Sequence, residues 1–384
     1  MSTSPRGTRL VLYSKLAFYP SHWLALEEIA RRYRADAVVL AAPRPEVPSV
    51  HAAHGTPNPA PGLPIDVRHM PRGSRATRLG WLARELKRID PDVIWVQENP
   101  TDPFLLEMLA LYRFRQRPRI VSAVSATIFA RPPALERAAQ RLLWPRLDGV
   151  IAVATPSVEG IRAAGLPESV PTWSLVAGAL EPAAEVVPRP LPFESGEHDF
   201  VAGFSGRLVE EKGWRVLIEA LRRLPKEFRL VVAGDGPQVG EITRLADSAE
   251  LRERLFFVGL LPKSELWGFY AALDCLVVPS LTAPRWMESF GGVLTDAMVM
   301  GLPIVGSSSG SIPEVMGAAG IVVPEGDVAA LASALVELRA DPELCVRLGD
   351  AGRKRFRAEF AIPRYADKIA AALGLEPLHL ASAV

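Results

Sequence analysis

Apolar and polar positions along this chain fall into two alternating kinds of segment. Short, nearly continuous apolar runs read as strands buried on both faces. Between them lie stretches with an apolar residue every three or four positions, which read as helices packing one face. In the first half, strands are predicted at Leu10–Tyr13, Ala37–Leu40, Val93–Val96, Ile120–Ser122, Val150–Ala154 and Thr172–Leu175. Helices are predicted near Trp23–Arg34, Arg75–Ile89, Pro103–Phe114, Ala134–Leu143 and Val158–Ala164. In the second of these, Leu79, Leu82, Leu86 and Ile89 make one apolar stripe, and Arg75, Arg78, Arg84, Lys87 and Arg88 fall outside it.

The second half repeats the alternation. Strands are predicted at Phe200–Ser205, Arg229–Ala233, Leu255–Val258, Cys275–Val278 and Pro303–Gly306. Helices are predicted at Trp214–Arg223, Glu241–Asp247, Lys263–Leu273, Val293–Val299, Val328–Arg339, Pro342–Phe360 and Pro363–Leu373. Residues 181–199 combine proline, glycine and charge without periodicity and mark a boundary. The expectation is therefore an α/β chain of two Rossmann-like domains, residues 1–180 and 200–360, facing across a cleft lined by the C-terminal ends of their strands. Pro43–Pro64 breaks the pattern and reads as an extended loop. His51 and His54 within it have no third ligand nearby, so no metal site is expected there.

Composition narrows the class. A chain of 384 residues suffices for two cores, and 49% apolar with 23% charged residues is the balance of a folded protein. The two cysteines, Cys275 and Cys345, supply neither a disulfide framework nor metal spacing, which points to a reducing compartment. The opening MSTSPRGTRLVLYS has no apolar run suited to a signal peptide, and no stretch is suited to cross a membrane. A cytoplasmic enzyme is the expectation. The net charge of +1 hides an asymmetry: residues 1–180 carry 23 Lys and Arg against 15 Asp and Glu, a balance of +8, and the remainder carries −7. A basic half suits a phosphorylated acceptor or peripheral contact with a membrane surface, and equally a solvated, Arg-rich surface. No nucleic-acid partner is expected.

Candidate chemistry concentrates between Phe204 and Glu314. Arg207 and Lys212 both project from one strand-to-helix loop, where two cations can hold a diphosphate and neutralise its charge as it departs. Glu288-Ser289-Phe290-Gly291-Gly292 precedes a helix, so glycine amides can approach a sugar or phosphate while Glu288 accepts from sugar hydroxyls. Asp296, within that helix, can accept from both ribose hydroxyls. Gly234-Asp235-Gly236-Pro237 reads as a tight turn lining the same crevice. The backbone at Val258 can meet a base edge, and the loop Gly310–Glu314 can add amides to a phosphate cradle. Singly, each has an ordinary structural explanation: solvated cations, a helix N-terminal acid, a polar helix position.

The combination is more specific. GR-x4-K at Gly206–Lys212, GDGP at Gly234–Pro237, E-x-F-G at Glu288–Gly291, AM-x-x-G-x-P at Ala297–Pro303 and G-x-I-P-E-V at Gly310–Val315 together resemble glycosyltransferase family 4. The resemblance covers essentially the whole second domain. It implies a GT-B fold with a C-terminal crossover helix, about 361–384, returning to the first domain. It also implies a retaining, metal-independent transferase that needs no cofactor and uses a UDP-, GDP- or ADP-linked sugar as co-substrate with a hydroxyl acceptor. By this resemblance Arg207 and Lys212 bind the diphosphate, with Glu288 as the third catalytic residue, and Gly206, Asp235, Gly236, Val258, Phe290, Gly291, Gly292 and Asp296 line the donor site. At Asp296 the family usually has glutamate, one methylene longer.

The first domain departs from the family. Its first strand is followed by Ser14–Trp23 with no Gly-Gly loop, and this also argues against a dinucleotide-dependent oxidoreductase. Near Val121–Ser125 there is no counterpart to the family's histidine. Lys15, Ser21, His22, Glu98 and Trp286 are the acceptor-side candidates. Competing functions are a nucleotide-sugar epimerase or phosphorylase on the same fold, and a non-catalytic carbohydrate-binding protein.

Overall fold

The computed structural model describes residues 7–14, 20–33, 35–41, 62–101, 103–112, 117–128, 133–175, 177–183, 185–194, 196 and 198–378. The chain divides into two compact units, Met1–Gly178 with Ile362–Val384, and Ala179–Ala361. Lys15, His51 and His54 lie outside the described residues.

The first unit opens with β1 (Thr8–Ser14), α1 (Pro20–Arg32), β2 (Ala35–Ala41), β3 (Ile65–His69), α2 (Arg75–Ile89) and β4 (Val93–Val96). It continues through α3 (Pro103–Leu111), β5 (Arg119–Val124), α4 (Ala134–Leu143), β6 (Gly149–Ala152), α5 (Thr155–Ala163) and β7 (Thr172–Ser174). All strands pair in parallel in the order β3-β2-β1-β4-β5-β6-β7. Each central strand is apolar on both faces because each face is covered. Leu10 and Leu12 enter one core with Leu26, Ile29 and Trp95, while Val11 and Tyr13 enter another with Leu82, Leu86 and Val96. The helix α2 starts where Ser74 accepts from the Thr77 N–H at 3.2 Å, and it ends at Asp90, whose φ of 48° closes the last turn.

The second unit comprises β8 (Phe200–Ser205), α6 (Trp214–Arg223), β9 (Phe228–Ala233), α7 (Val239–Ala246), β10 (Leu255–Gly259), α8 (Lys263–Ala271) and β11 (Cys275–Val278). Then follow α9 (Gly292–Met300), β12 (Ile304–Ser307), α10 (Ile312–Met316), β13 (Gly320–Val323), α11 (Val328–Ala340) and α12 (Pro342–Arg355), which runs on as one π-helical turn over Phe356–Phe360. Its parallel sheet has the order β10-β9-β8-β11-β12-β13. Residues 181–199, expected as a linker, include segments packed within this unit. The Arg189 N–H donates to Gly268 O at 2.8 Å, and Phe193 stacks on Phe256 at 4.4 Å.

The last helix, α13 (Ile362–Leu373), packs in the first unit. Ile369, Ala370 and Leu373 are fully buried there in the core that holds α1. The Tyr33 hydroxyl donates to Asp367 at 2.8 Å, and Arg32 pairs with the same carboxylate at 2.8 Å.

Some elements among the described residues were not read from the sequence. Ile65–His69 and Gly320–Val323 are strands, and Ile312–Met316 is a short helix where a loop was expected. Both unforeseen strands are sheet edges and only partly buried, so neither needs a continuous apolar run.

Candidate functional site

Sheet topology fixes where ligands can sit. In the second unit the strand order reverses between β8 and β11, and in a parallel α/β sheet such a reversal leaves a crevice beyond the C-terminal strand ends. The loop after β8 carries Gly206, Arg207 and Lys212, and the loop after β11 carries Ser280, Trp286 and Glu288. These loops meet. Lys212 Nζ lies 2.6 Å from Glu288 Oε2, and Ser280 Oγ donates to the same oxygen at 2.9 Å. The Glu288 side chain is 7% exposed and that of Lys212 25%, so the ammonium is the more accessible partner. Lys212 also sits 4.9 Å from the centre of the Trp286 ring, which joins one group expected on the donor side to one expected on the acceptor side.

Glu288 is held from behind. The Ser311 N–H and Oγ both donate to its carbonyl, at 2.9 and 3.3 Å. Gly310, with φ at 53°, brings its backbone so close that a Cβ would lie 2.1 Å from Glu288 O. Deeper in, Ser307 Oγ donates to Ser280 O at 2.5 Å. The Gly310–Glu314 segment was expected to lend amides to a phosphate. Within it the Ser311 amide fixes Glu288, because a buried carbonyl at that bend needs donors.

The other donor-side residues are distributed around this centre. Gly206 donates its N–H to Ala233 O at 3.1 Å, and Arg207 beside it is exposed. Asp235 is also exposed, but its Oδ1 accepts from the Gly236 N–H at 2.8 Å, so it closes its own turn. A Cβ on Gly234 would lie 1.9 Å from Gly206 O, which explains why glycine is needed where the two loops touch. Gly291, with φ at 67°, starts α9, and Gly292 is its first residue. The Phe290 ring leans on Phe360 at 6.5 Å, towards the end of this unit. Val258 falls where the β9–β10 register slips between Phe257 and Gly259, an irregularity of the edge strand.

Asp296, expected as the acceptor for two ribose hydroxyls, takes a hydrogen bond from Lys263 Nζ on each of its oxygens, both at 2.7 Å. The Tyr270 hydroxyl stands 3.5 Å from Oδ2. Burial pushes the Asp296 carboxyl above its ordinary pKa, and the adjacent Lys263 charge opposes that shift. Sequence reading missed Lys263, Ser280 and Ser311. Lys263 and Asp296 are far apart in sequence, and only the packing of α8 on α9 joins them.

In the first unit the strand order reverses between β1 and β4, and of the acceptor-side candidates Ser21, His22 and Glu98 follow those two strands, whereas Trp286 belongs to the second unit. The Gln97 N–H donates to Tyr13 O at 2.8 Å, and the Glu98 carbonyl accepts from Ser122 Oγ at 2.7 Å. Ser21 and His22 lie at the start of α1, both part-exposed. The His22 ring lies edge-on to Trp95 at 6.1 Å and stacks on Tyr365 of α13 at 6.0 Å. Desolvation lowers the His22 pKa to about 4, against the pull of a hydrogen bond with the Gln97 side chain, so the imidazole is neutral at pH 7.

Among the described residues no group of three His, Cys, Asp or Glu could hold a metal ion, and no helix is long and apolar enough to cross a membrane. A separate cavity of about 560 Å³, with Pro182, Val186, Ser264 and Trp267 in its lining, contains none of the predicted site residues.

Comparisons with known proteins agree with this geometry. Residues 192–355 match the family of glycosyl transferases group 1. The 2-deoxystreptamine glucosyltransferase of Streptomyces kanamyceticus is 33% identical over 177 residues, which cover 45% of this chain and 44% of that enzyme. The GDP-mannose-dependent alpha-(1-6)-phosphatidylinositol monomannoside mannosyltransferase of Mycolicibacterium smegmatis is 36% identical over 155 residues, covering 38% and 40%. The chain thus aligns with less than half the length of these curated relatives. Among solved structures, Anabaena HepE in complex with UDP aligns over 96% of this chain and 99% of its own, at 20% identity and a TM-score of 0.69. Two parallel Rossmann-like sheets and the alignment with HepE show a GT-B fold, and within it residues 192–355 are similar to the glycosyl transferases of group 1.

Proposed function

We propose that this chain transfers a glycosyl unit from a nucleotide-diphosphate sugar to an acceptor hydroxyl, without a metal ion and with retention of anomeric configuration. The observation that carries the reading is the contact of Lys212 with Glu288 at the β8/β11 reversal, beside the exposed Arg207. A diphosphate entering there meets two cations, and negative charge grows on it as the bond from its oxygen to the sugar's anomeric carbon breaks. Fixed positive charge stabilises that change most when it is already in place. Glu288, its carbonyl and carboxylate both held, accepts from hydroxyls of the donor sugar. The acceptor oxygen attacks from the face the diphosphate leaves, and a diphosphate oxygen takes its proton. No side chain in this unit then needs to act as nucleophile.

The donor is taken to be UDP- or GDP-linked. HepE is solved with UDP, and the Mycolicibacterium relative is GDP-mannose-dependent. ADP-linked sugars remain the third arm of the test. The reaction is placed in the cytoplasm, with the basic first half of the chain meeting a phosphorylated or membrane-borne acceptor. Incubation with UDP-, GDP- and ADP-sugars, followed by analysis of the released diphosphate and the product anomer, tests the whole reading. Release of a nucleoside diphosphate in the presence of EDTA, with a product of the donor's own configuration, is the expected result. Donor consumption with inversion, or dependence on added metal, overturns the mechanism. No consumption of any donor with any acceptor, or with water, overturns the function.

A further inference from the structure

The aromatic ring beside Lys212 is fastened in place by its own loop. Trp286 follows β11, where a four-residue turn sets its backbone. The Ala283 N–H donates to Trp286 O at 2.7 Å, and the Trp286 N–H donates back to Ala283 O at 3.1 Å. Pro284 is the second residue of that turn, a position its fixed φ suits. The foot of the turn is tied twice. The Thr282 N–H donates to Glu325 Oε2 at 2.5 Å, and Thr282 Oγ1 lies 3.0 Å from Ser309 Oγ. The same loop is also joined to the one that carries Lys212. The Leu281 N–H donates to Glu211 O at 2.7 Å, and a Cβ on Gly213 would lie 1.8 Å from Pro279 O. The ammonium and the centre of the ring beneath it, 4.9 Å apart, are thus located by one braced pair of loops.

Glu288 and Trp286 act on that ammonium differently. The carboxylate, 2.6 Å from Nζ, carries a charge that offsets the lysine's own when both are ionised. The ring attracts the same cation through its negative face and carries no net charge. A neutral attractor restrains the ammonium and leaves its charge to act on an anion, which a second carboxylate would not do. We propose that Trp286 is a positioning residue of the donor site, which acts on the diphosphate through Lys212 by holding the ammonium over its ring. The inference rests on the donor-site reading above. It moves Trp286 from the acceptor-side role expected of it to one in diphosphate binding.

Calorimetric titration of the full chain with UDP, GDP and ADP, well below the unfolding temperature, tests the proposal. Trp286→Leu is expected to weaken binding of the preferred diphosphate by roughly two- to thirtyfold, the range of a cation held over a ring, and Trp286→Phe, which keeps a ring, to lose less. The deciding measurement is a double-mutant cycle with Lys212→Gln, which retains a donor for Glu288 and removes the charge. In that background Trp286→Leu is expected to cost no further affinity. A loss that persists there overturns the role, because the ring then touches the ligand itself or merely holds the loop. Parental affinity in Trp286→Leu overturns it as well. If Trp286→Leu does not fold, Trp286→Met, which fills more of the ring's space, carries the same cycle. A parent chain that binds none of the three diphosphates overturns the donor-site reading and this role along with it.

Discussion

Lys212 and Glu288 come from loops after different strands, and the structure sets Nζ and Oε2 2.6 Å apart. The contact follows from the reversal of strand order between β8 and β11, which makes those two loops neighbours. A carboxylate this well enclosed holds the lysine in one position, so the cation is placed before any ligand arrives. In the proposed transfer, a cation fixed beforehand is what a departing diphosphate needs.

Replacing Lys212 by alanine is expected to lower turnover roughly a hundredfold or more, the scale seen when one transition-state donor is removed. Because Lys212 is the ion partner of the enclosed Glu288 carboxylate, its loss should also lower the unfolding midpoint, so rates are compared well below that midpoint. Steady-state rates with the preferred donor check this, and a variant with near-normal kcat removes Lys212 from the mechanism.

Gly310→Ala is expected to harm both stability and donor use. The new Cβ would lie 2.1 Å from Glu288 O at a φ of 53°, so the loop carrying Glu288 has to move. The cost is roughly 2–4 kcal/mol. Urea unfolding measures it, and an unchanged midpoint with unchanged KM would show that the loop tolerates the shift.

Loss of packing by α13 should destabilise the first unit although the substitution lies beyond residue 361. Ile369 is fully buried in the core around Leu26 and Ile29. Ile369→Ala is expected to cost roughly 2–5 kcal/mol. Proteolysis should then cut first within the first unit, and a digestion pattern like that of the parent chain counts against the packing described.

Acid should weaken the first unit through His22. Its pKa in the folded chain is about 4, lowered mainly by desolvation, against an ordinary 6.5. Between those values the unfolded chain binds the proton that the folded chain refuses, so the contribution is complete above about pH 6.5 and is lost as pH falls towards 4. The span corresponds to at most roughly 3 kcal/mol. Melting curves of the parent and His22→Gln between pH 7 and pH 4.5 isolate it. Equal pH slopes in the two proteins would exclude His22 as the cause.

Much of this molecule is written locally. Val93–Val96, Phe200–Ser205 and Cys275–Val278 are strands with the bounds their apolar runs predict, because a strand buried on both faces must be apolar throughout. The helices Arg75–Ile89 and Trp214–Arg223 match their periodic stripes equally well. Edge strands such as Ile65–His69 escaped notice because water covers part of them and relaxes the pattern.

The candidate site was legible as a set of residues on neighbouring loops and illegible as a set of partnerships. Arg207, Lys212 and Glu288 stand out in the chain by type and spacing, since phosphate and sugar binding demand cations, acids and glycines near strand ends. That Asp296 is bound by Lys263, and that the Ser311 amide holds Glu288, depends on contacts between loops and helices distant in sequence. The chain alone determines which groups are present and on which elements they ride. Which of them remains available to a ligand is decided by tertiary packing, because a buried polar group must find its partner within the fold before it can serve anything outside it.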